Sequence, residues 1–173
     1  MRDPRVQNLA KILVGYSTGV KGGESVVIEG ESAAEPLLLA VYEEVLQAGG
    51  NPVVSMSMQG QSAAYFKHGS DAQLDWISPV ARWKAESADV SIHVMASANV
   101  RELSQVPPER QTRRQSATKE ISDRLLRRAA EGSHRWALTL FPTQAYAAEA
   151  EMSLADYEDF YYQACLATDA DPL

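Results

Sequence analysis

Four strand-length apolar runs, each separated from the next by a helix-length segment, constrain this chain more than any other feature of it. They are Ser25-Val26-Val27-Ile28-Glu29, Pro52-Val53-Val54-Ser55-Met56-Ser57-Met58, Val90-Ser91-Ile92-His93-Val94-Met95 and Trp136-Ala137-Leu138-Thr139-Leu140-Phe141. Gly30 closes the first and Pro142 closes the last. Strands that alternate with helices need crossover connections, and crossovers make neighbouring strands parallel. The pattern therefore predicts an α/β fold: a mostly parallel, Rossmann-like sheet of about four or more strands flanked by helices, with a helical C-terminal segment. Strand order is not encoded in such a pattern.

The helices announce themselves by caps and spacing. Asp3-Pro4 is a helix start, and Val6, Leu9, Leu13, Tyr16 and Val20 recur behind it at helical spacing until Gly22-Gly23. Ser32-Ala33-Ala34-Glu35 has the capping-box form, and the helix it predicts carries Leu38, Val41, Val45 and Ala48 on one face. Residues 59–70 read as a polar loop around a short helix at Ala63–His68. A helix from Asp71 to Ala88 is expected to turn Leu74, Ile77 and Trp83 inward, with Pro79 bending or interrupting it. Asn99 to Pro108 reads as a connection, and 109–131 as a charged helix with a narrow stripe of Ala117, Ile121, Leu125 and Ala129. Thr143 and Ser153-x-x-Asp156 cap two last helices, the second bearing Tyr157, Phe160, Tyr161 and Ala164 as a core or interdomain face. A length of 173 residues suits a single domain. The closing run Asp169-Ala170-Asp171-Pro172-Leu173 reads as the beginning of a connection.

Several function classes are disfavoured. A net charge of −7 argues against nucleic acid, whose phosphates need a basic face. No stretch approaches the roughly 18 to 20 apolar residues of a membrane span, and the N-terminus lacks a secretory pattern. Cys165 has no intramolecular disulfide partner. The expectation is a soluble, cytoplasmic chain with neither nucleic acid nor membrane as partner.

Candidate chemistry is sparse. His68, His93 and His134 are not spaced as metal ligands, and there is no H-E-x-x-H. The turn after the first strand, Gly30-Glu31-Ser32-Ala33-Ala34-Glu35, has one glycine and two acids, unlike a pyrophosphate loop. Cys165 has no charged or histidine neighbour within a turn and reads as a packed thiol. Eight of the sixteen basic residues fall between Arg101 and Arg128, but interleaved acids make that segment read as a solvated face with i,i+4 pairs. Catalytic and metal-ligating residues are thus expected to be absent. Open sheets place ligands at the carboxyl ends of strands, which nominates Gly30, Glu31, Asn99, Pro142 and Thr143 as cleft-lining residues. One reading of those exposed turns is a stand-alone module that binds a small or peptide ligand without catalysis.

A second reading comes from likeness. The segments Asp3–Val14 with Tyr16-Ser17, Gly23–Ile28, Ala34–Leu37, Ala48–Val53, Asp89–Asn99 with Asn99-x-Arg101-x-Leu103, and Pro142–Cys165 with Trp136 occur here in order. Together they resemble the N-terminal domain of the thermophilic-type metalloaminopeptidases, the family of aminopeptidase T, aminopeptidase S and aminopeptidase II. The resemblance implies a parent hydrolase that removes N-terminal residues from peptides, using two divalent ions (zinc, cobalt or magnesium) to activate water and polarise the carbonyl. It also implies that the metal ligands and catalytic groups belong to a C-terminal domain absent from this chain. Residues 1–173 would then be a non-catalytic N-terminal fragment, inactive alone. Such a domain shapes the substrate cleft or a homodimer contact, and its partners are the catalytic domain and the parent's peptide substrate.

Overall fold

The computed structural model describes residues 3–168; the closing run 169–173 lies outside the described residues. Strands β1 (Ser25–Glu31), β2 (Asn51–Ser57), β3 (Val90–Met95) and β4 (Arg135–Leu140) form one sheet in the order β2-β1-β3-β4. Every pairing is parallel, with Ile28 opposite both Val54 and Ile92, and Ile92 opposite Ala137. After β2 the chain passes to the far side of β1, so the winding direction reverses between β1 and β3. That reversal is the mark of a doubly wound sheet.

Alternation along the strands sorts side chains between the two faces. Val26, Ile28, Val90, Ile92 and Val94 pack with Leu9, Leu13, Leu37, Val41, Val45, Tyr162 and Ala167 in one buried cluster. This face is covered by α1 (Pro4–Lys11), α2 (Glu35–Gln47) and α8 (Leu154–Ala164). Arg5 ties α1 to α8: it donates to Asp3 and Asp159, and its guanidinium lies 4.7 Å from the centre of the Tyr162 ring. On the opposite face lie α5 (Pro79–Ser87) and α6 (Pro108–Ala130), with α3 (Gln61–His68) and α4 (Asp71–Asp75) beside them. A last short helix, α7 (Gln144–Glu149), follows β4. The cover on that second face is incomplete, since Trp136 and Leu138 keep more than half of their surface exposed.

Local caps match expectation at three helices. Asp3 accepts from the Arg5 N–H, Thr143 from Tyr146 and Ser153 from Asp156. Elsewhere the structure corrects the sequence pattern. The first helix switches to π-helical turns at Ile12–Ser17, where the extra residue per turn carries Tyr16 out to 79% exposure. The Ser32–Glu35 capping box does not form: Pro36 sits in the first turn of α2, so Ala34 occupies the cap and Ser32 opens a 3-10 turn before it. The expected 71–88 helix is interrupted at Pro79, one of the two outcomes the sequence allowed, and Ser78 caps the new start. Leu74 is buried as expected, but Trp83 faces outward. In α8 the buried aromatic is Tyr162, and Phe160 points to solvent.

Candidate functional site

The winding reversal separates the loops that leave β1 and β3, and a crevice of about 330 Å³ opens at those strand ends. Glu31, Ser57, Ser62, Asn99 and Glu102 are among the side chains that border it. Asn99 is held by its own loop, where its side-chain oxygen accepts from Arg101 N–H at 3.0 Å. Behind the crevice, Thr143 Oγ1 donates to the Ser97 carbonyl at 2.7 Å and the Ser97 N–H donates to the Tyr146 hydroxyl. Of the five residues nominated from sequence, Glu31 and Asn99 therefore border the crevice. Pro142 and Thr143 are buried, and Thr143 braces the Ser97 loop through its hydroxyl. Gly30 lies beneath: a Cβ there would come within 2.8 Å of the Val94 carbonyl and 2.9 Å of Leu38. Two carboxylates among hydroxyls and an amide suit a cationic or neutral polar group and repel phosphate.

A second cluster was not visible in the sequence. Lys84 on α5 donates to Glu29 Oε2 at 2.6 Å, and His93 Nδ1 lies 3.8 Å from the same oxygen. Burial pushes the Glu29 carboxyl up, but His93 and Lys84 together hold it below the ordinary carboxylate range. Glu29 and His93 meet only because β1 and β3 are paired in that register. His134 is buried and engages the Ala88 carbonyl through Nδ1 at 3.1 Å, while His68 is exposed at the end of α3. Cys165 is half-buried against the core. Among the described residues no three His, Cys, Asp or Glu side chains could together hold a metal ion. The described residues therefore do not fit a two-metal centre.

The charged helix also differs from expectation. Lys119–Asp123 is an i,i+4 pair, but the arginines N-terminal to it reach across to other helices. Arg110 donates to the carbonyls of Phe66 and Gly69, and Arg114 to those of Leu74 and Trp76. These carbonyls lie at or just beyond the C-terminal ends of α3 and α4, where the helix leaves them without internal partners. No helix among the described residues is long and apolar enough to cross a membrane.

Sheet order and crevice define a parallel α/β domain of the doubly wound kind. Its sequence then places it: the profile of the thermophilic metalloprotease (M29) family matches residues 2–173, and the chain belongs to that family. The solved structure of wild-type AmpT from Thermus thermophilus superposes with a TM-score of 0.72 at 18% sequence identity, a likeness that establishes the fold. The match covers 92% of this chain and 42% of the AmpT chain, so the domain spans well under half of that relative's length. No curated protein matches the chain.

Proposed function

We propose that this chain is the N-terminal, non-catalytic domain of a two-domain metalloaminopeptidase, and that it forms one wall of the cleft into which peptides enter. Family membership across residues 2–173 carries the reading, supported by the 42% coverage of AmpT. The described residues offer no grouping of metal ligands, and the reading assigns the two-metal centre to a second domain. Glu31 and Asn99, at the mouth of the strand-end crevice, are the residues assigned to the cleft wall.

The test is metal analysis together with hydrolysis of a leucine anilide by the purified 173-residue chain. The expected result is a folded protein with no stoichiometric divalent ion and no cleavage. One or two tightly bound ions per chain would refute it. Addition of the catalytic domain of an M29 enzyme, in trans or as a fusion, is expected to restore cleavage, with Glu31→Ala changing KM more than kcat.

A further inference from the structure

Strand β2 is an edge of the sheet, and the hydrogen-bond pattern says which backbone groups its open side carries. The Asn51 N–H donates to the Glu24 carbonyl at 2.7 Å, which fixes the phase of the parallel ladder with β1. Asn51, Val53, Ser55 and Ser57 therefore direct their N–H and C=O groups to β1. Val54 and Met56 direct theirs outward, and Pro52, which has no N–H, presents only a carbonyl there. Val53 and Val54 point to opposite faces of the sheet and both are exposed, so neither helical layer overhangs this edge.

We propose that β2 pairs antiparallel with β2 of a second copy of the chain, about a two-fold axis at Val54, joining two four-stranded sheets into one. Val54 is the midpoint of Asn51–Ser57, so this register pairs the whole strand with its counterpart. The two Val54 residues exchange both backbone bonds, and each Met56 N–H donates to the opposite Pro52 carbonyl. The donor that Pro52 lacks falls at the ends of the pairing, where water serves the Met56 carbonyl. Charge selects the occupant. From residue 45 to residue 66 no charged side chain occurs, in a chain that is 23% charged and carries a net charge of −7. Two acidic copies meet here without local repulsion, whereas a charged peptide finds no counter-charge on the strand. Lysine, a common guard of edge strands, is absent from β2. The contact covers β2 in both copies at once, so assembly through this edge stops at two. A seven-residue strand on each side is well short of the roughly 20 to 30 residues of a stable interface, so the dimer is weak and depends on concentration. It stands whether or not the chain is one domain of a peptidase.

Sedimentation equilibrium of the 173-residue chain tests the assignment. The expected mass is 18.9 kDa at about 1 µM, rising toward twice that at about 1 mM. Over the same range the Val54 and Met56 amides are expected to exchange hydrogen at least about tenfold more slowly, since nothing within one copy protects them. Val54→Pro removes a donor that β1 does not use and is expected to weaken association at least about tenfold with the fold kept. Val54→Lys and Val54→Glu are each expected to stay monomeric. Their equimolar mixture should associate at least about fivefold more tightly than either alone, because the axis sets residue 54 against itself. A monomer at about 1 mM, growth beyond a dimer, or unchanged association in Val54→Pro overturns the proposal. So does a mixture of the two charged variants that associates no better than its parts.

Discussion

At Gly30 a single methyl group is enough to disturb the sheet. The nearest atom to an added Cβ is the Val94 carbonyl oxygen on the neighbouring strand, which cannot move aside without breaking its ladder. Gly30→Ala is expected to cost about 1–3 kcal/mol, seen as a lower urea midpoint with an unchanged slope. A midpoint within error of wild type would mean that β1 and β3 separate more easily than they look. His134 governs a different observable. Burial, reinforced by the nearby Arg128, Lys84 and Arg135, holds its imidazole below the ordinary value of 6.5. Between the folded and unfolded values the unfolded chain binds a proton that the folded chain does not. The His134 contribution is therefore complete above about pH 6.5 and is lost as the pH falls below it. His134→Gln should flatten the stability profile below about pH 6.5, as measured by denaturation at each pH. Neither role was legible from residue type alone. Gly30 read as a strand end, and His134 as one of three scattered histidines.

Between elements, two kinds of contact hold the second helical layer. One is the Lys84–Glu29 pair, which fastens α5 to the centre of the sheet with both side chains mostly buried. Lys84→Met is expected to destabilise the chain by about 1–3 kcal/mol at neutral pH, where Glu29 would keep its charge and lose its nearer partner. The depressed Glu29 carboxyl contributes stability that is present above its ordinary value of 4.5 and lost as acid protonates it. The gap between variant and wild type should therefore narrow as pH falls through the carboxylate range, with His93 as the remaining partner. A gap independent of pH would assign the effect to packing of the lysine stem. The other contact is the set of arginines on α6, a helix with no fully buried residue. Arg114 serves two backbone carbonyls and Arg113 pairs with exposed Asp71 and Asp75. Arg114→Ala should lower the thermal midpoint clearly, and Arg113→Ala hardly at all, because exposed pairs are screened.

These elements show where sequence reading works. Asp3, Thr143 and Ser153 cap as expected because a cap is settled within four residues. The Ser32 box fails through a competing local rule, the proline in the first turn. The Glu29–His93 approach depends on strand order, which no local pattern contains.

For the molecule as a whole, the two faces of the sheet are unequal. One is sealed by α1, α2 and α8, and the other is left partly open, although parallel sheets ordinarily bury both faces. The edge strand β2 adds to the exposure, with Val53, Val54 and Met56 each more than 40% exposed. Such an edge invites pairing with other chains. Val54→Lys is expected to leave the unfolding free energy within about 0.5 kcal/mol of wild type and to reduce self-association in light scattering at high concentration. The α/β class and the four strands were legible because each strand writes its own apolar run. The unequal faces were not, since a strand buried on one side and a strand buried on both can carry the same residues.

Strand order has a further consequence, in time. β1, α2 and β2 are consecutive in the chain and make a complete unit within residues 25–57, whereas β3 must cross a 32-residue gap to join β1, and β4 must wait for β3. Closing the shorter loops first loses less chain entropy. The N-terminal half should accordingly assemble ahead of the rest, with β1 as a template that recruits β3 and then β4. The open sheet face, built from those two late strands, is the last part of the domain to take shape.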